Sequence, residues 1–128
     1  MARLLVDGSN VLGARPDGWW RDRPAAVARL AGALDAHAVA GDHELTAVFD
    51  GAPVALPALR RADVRFASRR GRDAADDDLV ALVAADPDPA GLVVVTSDAE
   101  LAARIRALGA TVTGAGAFRA EVEAGEGG

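Results

Sequence analysis

Leu4-Leu5-Val6-Asp7-Gly8-Ser9-Asn10, near the N-terminus, decides how the rest of the chain is read. Three apolar residues in a row are the pattern of a strand buried on both faces. A carboxylate, a glycine and two small polar residues then end it in a tight turn. The acid therefore sits where a packed core meets a crevice. An Asp after an apolar run is commonly a turn former or a helix cap, but here the pattern recurs. Ala47-Val48-Phe49-Asp50-Gly51 and Val93-Val94-Val95-Thr96-Ser97-Asp98 repeat it, and in one parallel sheet all three acids emerge at the same edge.

Working outward, residues 8–22 are rich in Gly, Pro and Asp and read as a loop, longer than strand-to-helix connections usually are. Pro24 suits the first turn of a helix, and Val27, Leu30, Leu34 and Ala38 recur at helical spacing until Gly41 ends it. Residues 45–49 form a second strand, residues 51–61 an irregular crossover, and residues 64–67 a third strand whose alternating polarity marks an edge. Asp73 is the expected N-cap of a helix with Leu79, Val80, Leu82 and Val83 on its apolar face. The run Asp86-Pro87-Asp88-Pro89 breaks that helix. A strand over residues 92–96 leads to Ser97-Asp98-Ala99-Glu100, a capping-box pattern, and to a helix lined by Leu101, Ile105 and Leu108. Residues 111–113 make a fifth strand and residues 118–122 a last short helix, with a loose tail from Glu123.

Strands alternating with helices imply an α/β domain, a parallel five-stranded sheet with helices on both faces. With the two most hydrophobic strands at the centre, the order is 3-2-1-4-5. The winding then reverses between strands 1 and 4, which opens a crevice at their carboxyl ends, with Asp7 and Asp98 on its two sides. At 128 residues the chain is expected to be a single domain over residues 1–124, with residues 125–128 as a flexible tail.

Composition narrows the function classes. Apolar residues make up 51% of the chain, enough for an ordinary globular core. No run approaches the ~18 apolar residues of a membrane span, and no basic-then-apolar leader precedes the first strand, so a cytoplasmic protein without membrane partners is expected. Cysteine is absent, which excludes disulfides, thiolate zinc sites and a cysteine nucleophile. The net charge of −5 argues against nonspecific coating of nucleic acid. Yet Arg60, Arg61, Arg65, Arg69, Arg70 and Arg72 crowd one short stretch, which suits phosphate binding on an otherwise acidic protein.

The helix after that stretch begins Asp73-Ala74-Ala75-Asp76-Asp77-Asp78. On a helical wheel Asp76 falls among Leu79, Val80 and Val83, while Asp77 and Asp78 point outward. Acids at a helix start are favoured by the macrodipole alone, but one aimed at Asp7 and Asp98 would repel them. At about 4 Å and an effective dielectric of about 20, each such pair costs about 4 kcal/mol. Either a shared proton or a divalent cation must compensate. Hard oxygen ligands without His or Cys select Mg²⁺ or Mn²⁺, ions suited to phosphoryl chemistry.

VDGSN at residues 6–10, FDG at 49–51, ADDDL at 75–79 and VTSDAEL at 95–101, in this order and spacing, resemble the NYN branch of the PIN-like nucleases, particularly bacterial YacP-type domains. The resemblance runs over residues 3–122 and implies a three-layer PIN-like fold with the strand order above. It also implies a metal-dependent endoribonuclease acting on single-stranded RNA. The family roles fall on Asp7, Asp76, Asp77 and Asp98 as metal-binding acids and on Asn10 as the residue that positions phosphate or water. A ribosome-associated mRNA endonuclease among the relatives makes the ribosome an expected partner. Ser9 stands where relatives often carry a larger Asn or Tyr, and the chain lacks lysine.

Trp19, Trp20 and Arg21 read as a base-stacking platform, with a hydrophobic staple as the competing reading for one tryptophan. Ser9, Arg69, Arg70 and Arg72 are further RNA-contact candidates, and Asp50 and Ser97 are expected to support the site from its rim. The alternatives to a nuclease are an RNA-binding module with little catalysis and a small-molecule phosphohydrolase. The Asp-x-Asp nucleophile pattern of haloacid dehalogenases is missing, since Gly8 and Ser9 follow Asp7.

Overall fold

A computed structural model describes residues 2–71 and 73–127. Five parallel strands, β1 (Arg3–Asp7), β2 (Glu44–Phe49), β3 (Asp63–Phe66), β4 (Leu92–Val95) and β5 (Thr111–Thr113), lie in the order β3-β2-β1-β4-β5. This is the order expected, with β3 on an edge and the two apolar strands central. Helices α1 (Gly8–Leu12), α2 (Arg23–Gly41), α3 (Ala74–Ala85), α4 (Ala99–Ala107) and α5 (Ala115–Gly127) supply the crossovers and covers. No helix among the described residues is long and apolar enough to cross a membrane.

The two-residue alternation of β1 divides the core. Leu4 and Val6 pack with Val11, Val27, Leu30, Leu34 and Phe118. Leu5 packs on the other face with Leu79, Val83, Leu101 and Ile105. Asp7, two residues after Leu5, belongs to the second face, where α3 and α4 begin. Four of these second-face side chains, Leu79, Val83, Leu101 and Ile105, are fully buried and contribute about 1.5 to 3 kcal/mol each. The face that anchors α3 and α4 is thus the one that brings their N-termini to Asp7.

Several local expectations are corrected. Residues 8–12 are helical rather than looped, because the Asp7 carboxylate accepts a hydrogen bond from the Asn10 N–H and Val11 and Leu12 find buried places. A 3-10 turn occupies Trp19–Arg21. Asp42, with a left-handed φ of 53°, ends α2 after Gly41. Leu108 is 36% exposed because α4 stops at Ala107, and Ala102 takes the third buried place in that helix beside Leu101 and Ile105. Helix α5 runs to Gly127 instead of ending at Val122. Arg119 fastens it by donating to the Val11 and Leu12 carbonyls and to the Asp17 and Glu123 carboxylates.

Asp35, on the buried stripe of α2, accepts hydrogen bonds from the backbone N–H groups of Arg60, Arg61 and Ala62. The irregular crossover into β3 is tied down by that single carboxylate. Burial alone would raise its pKa; the three N–H donors and the Arg60 charge instead hold it below the ordinary value.

Candidate active site

Parallel pairing sets Val6 opposite Val95, so the next residues, Asp7 and Thr96, stand side by side at the carboxyl edge. The Thr96 hydroxyl donates to Asp7 Oδ2 at 2.9 Å and accepts from the Asp98 N–H at 3.1 Å. Thr96 is 2% exposed and ties the end of β1 to the start of α4. It was missed in the sequence, although its place level with Asp7 follows once the register is known.

Asp98 caps α4 itself, its Oδ1 accepting from the Leu101 N–H at 2.9 Å. Ser97, read as the cap, instead donates its N–H to Asn10 Oδ1 at 2.7 Å, while its hydroxyl accepts from the Ala115 N–H at 2.8 Å. The capping-box reading failed because two adjacent residues can each fill that role, and only one reaches the right N–H. Asn10 therefore joins α1 to the loop after β4. Ser9, Asn10 and Ser97 also line a groove of about 430 Å³ with Ala115 and Gly116.

Helix α3 is capped from outside. Asp73 sits at the N-cap with a φ of 62° and makes no side-chain cap, so the Asp50 carboxylate fills the role, accepting from the Ala75 N–H at 3.0 Å. Asp50 is held in turn, since its own N–H donates to the Ser9 hydroxyl at 2.9 Å and its carbonyl accepts from Arg23. Two glycines make these approaches possible. A Cβ on Gly8 would lie 2.8 Å from the Phe49 ring, and Gly51, after Asp50, has a φ of 89°.

The outcome is a pair of carboxylates, Asp7 and Asp76, whose pKa values are raised. Burial pushes Asp7 up to about 6, against the hydrogen bonds from Thr96 and Asn10, and the charges of Asp50 and Asp98 push the same way. Asp76, in the first turn of α3, is also pushed up to about 6, first by burial and then by Asp7, Asp98, Asp73 and Asp50. The N-termini of α3 and α4 point their positive dipole ends toward these acids and offset part of the repulsion.

Asp77 does not join this set. Arg69 and Arg104 bind its carboxylate and hold its pKa below the ordinary range, so the expected metal ligand is already neutralised by arginine. Asp78 accepts from the N–H and hydroxyl of Ser68. Among the described residues, no group of three or more His, Asp or Glu stands as a ready-made ion cage.

The remaining candidates divide. Trp19 is half-buried against the core and meets Trp20 edge to face, with ring centroids 5.9 Å apart. Trp20 is 56% exposed. The staple reading therefore holds for Trp19, and Trp20 is the tryptophan left facing solvent. Their turn leads directly into α2, whose Arg23 reaches the Asp50 carbonyl, so it lies toward the carboxyl edge. Arg21 and Arg70 are exposed, and Arg72 lies outside the described residues.

Two crystal structures of Rae1 (YacP) from Bacillus subtilis superpose on nearly the whole chain. One, a W164L mutant, has a TM-score of 0.79 at 27% identity and covers 98% of this chain and 77% of its own; the other has 0.78 at 26%, covering 98% and 76%. The chain has a YacP-like NYN fold. The five-stranded order and its covering helices are those of the YacP neighbours, and the fold is nuclease-like. No protein-family profile and no curated protein matches the chain. The YacP-like fold thus rests on the structural comparison and on the acids that the topology assembles.

Proposed function

We propose that the protein is a divalent-metal-dependent endoribonuclease acting on single-stranded RNA. One observation carries the reading: Asp7 and Asp76, from different elements, are both pushed up to about 6, first by burial, and the largest charges acting on them are negative. Arginine is available next door, on Asp77, and among the described residues none donates to Asp7 or Asp76. A carboxylate set left short of positive charge suits a cation, and its oxygen-only chemistry suits Mg²⁺ or Mn²⁺. Such ions are held by a few carboxylates and keep several waters. The likeness to Rae1 (YacP) supports the same reading.

Asp7, Asp76 and Asp98 would hold the ion. When bound, it supplies Lewis acidity, making water a better nucleophile and stabilising charge on the phosphate oxygens. Thr96 fixes the direction of the Asp7 carboxylate. Asn10 spends its oxygen on the Ser97 N–H, which leaves its amide N–H donors for a phosphate or an attacking water. Asp50 sets the position of Asp76 by capping the turn that carries it.

Incubation of end-labelled single-stranded RNA with Mn²⁺ should give cleavage that a chelator abolishes and that Asp7→Asn, Asp76→Asn and Asp98→Asn each remove. Undiminished cleavage in Asp7→Asn would sink the mechanism. The absence of a three-acid cage among the described residues favours a second reading, an RNA-binding module with little catalysis. Salt-dependent gel shifts without metal-dependent cleavage would select it.

A further inference from the structure

Beside the acidic crevice, one carboxylate holds two guanidinium groups. Arg69 comes from the loop between β3 and α3, Asp77 from the first turn of α3, and Arg104 from α4. Asp77 Oδ2 accepts from Arg69 Nη2, and its Oδ1 accepts from Arg104 Nη1 at 3.2 Å. Among the described residues neither arginine donates to any other acceptor, so most of the five N–H donors on each remain free. Their side chains are 53% and 43% exposed. Ion pairs this exposed contribute little to stability, so folding does not account for the bridge.

Its position is more informative. Asp76 precedes Asp77 directly, and the largest charges acting on Asp76, those of Asp7, Asp98, Asp73 and Asp50, are negative. Two cationic side chains are therefore stationed one residue from an anionic crevice without entering it. Freed from Asp77, either could swing toward Asp76 and occupy the place of a cation. A phosphodiester approaching the crevice brings negative charge of its own and needs donors on the flank. Planar guanidinium forks match phosphate oxygens well.

We infer that Arg69 and Arg104 form a phosphate-contacting pair for the backbone of single-stranded RNA, positioned by Asp77 and kept by it out of the acidic crevice. The inference rests on the endoribonuclease reading for its ligand. It gives Asp77 a positioning role in place of metal binding, and it adds Arg104, which nothing in the sequence singled out.

The test is binding of a fluorescent single-stranded oligoribonucleotide in chelator, where cleavage cannot interfere, measured by polarisation across a salt series. Arg69→Gln and Arg104→Gln should each weaken binding on the order of fivefold and take about 0.7 from the slope of log affinity against log salt. Arg69→Lys and Arg104→Lys should keep the slope, and Arg106→Gln, which removes an exposed charge from the same helix, should match wild type. Asp77→Asn should weaken binding even though it removes a negative charge. Tighter binding in Asp77→Asn would show that the acid only repels phosphate and would overturn the positioning role. Wild-type slopes in both glutamine variants, with wild-type protein binding well, would overturn the pair while leaving the nuclease reading intact. Failure of the wild-type protein to bind or cleave single-stranded RNA would overturn both. Circular dichroism melts of every variant should stay close to wild type, as expected for exposed arginines.

Discussion

Asp7 is 4% exposed and burial pushes its carboxyl up to about 6, so at neutral pH the folded chain carries charge in a place that resists it. In the unfolded chain an aspartate titrates near about 3.9. Between those values the native state binds more protons than the unfolded one, and stability falls as pH rises through that window. The penalty is complete above pH 6 and absent below about 4. Asp7→Asn should therefore raise stability at pH 7.5 by about 1 to 2 kcal/mol and change it little at pH 4. The full shift is worth about 3 kcal/mol, but an amide oxygen replaces only one of the two carboxylate acceptors. Urea unfolding at the two pH values checks this, and an equal gain at both would point to hydrogen bonding instead of charge. The tryptophans separate in the same way. Trp20→Ala should leave unfolding unchanged and weaken single-stranded RNA binding by about 1 to 3 kcal/mol. Trp19→Ala should destabilise the chain by about 2 kcal/mol, since its ring packs on the core. With two tryptophans and no tyrosine, intrinsic fluorescence quenching on RNA addition that Trp20→Ala removes reports on Trp20.

The helices differ in what holds their ends. Helix α4 is capped by its own Asp98, α3 by Asp50 from the turn after β2, and the entrance to β3 by Asp35 from α2. Asparagine caps about as well as aspartate, so Asp98→Asn should preserve stability while removing cleavage, whereas Asp98→Ala should also cost about 1 kcal/mol. Thermal melts beside an RNA cleavage assay distinguish the two effects. Asp35 is held for folding alone. Asp35→Ala leaves three backbone N–H groups without their acceptor and should destabilise by about 3 kcal/mol, read from the urea midpoint. The Asp35 contribution has the opposite pH sign to that of Asp7. Its folded pKa is depressed, so its stabilisation is present above the unfolded pKa and is lost as pH falls through the folded value.

Across the whole molecule, the reversal of winding between β1 and β4 collects acids that lie about ninety residues apart in sequence. A cation that answers them should stabilise the native state by mass action. Mn²⁺ is expected to raise the melting temperature at pH 7.5, and the rise should shrink as pH falls through about 6, where protons compete for Asp7 and Asp76. Asp7→Asn should abolish the rise. An increase of equal size at pH 5 and 7.5 would place the ion elsewhere on the protein.

The strand order and the edge at which Asp7, Asp50 and Asp98 emerge were legible in the residues, because buried parallel strands are nearly continuous apolar runs and right-handed crossovers leave few arrangements. Helical spacing set Asp76 apart from Asp77 and Asp78, although all three are half-buried at the start of α3. Asp35 had a signal that went unread, a carboxylate four residues after Ala31 on the buried stripe of α2. Other assignments needed three dimensions. Whether Ser97 or Asp98 caps α4, that Asp50 rather than Asp73 caps α3, and that Asp77 belongs to Arg69 and Arg104 depend on contacts between elements distant in sequence. Periodicity says which way a side chain faces, whereas the partner that meets it is chosen by how the helices and strands pack.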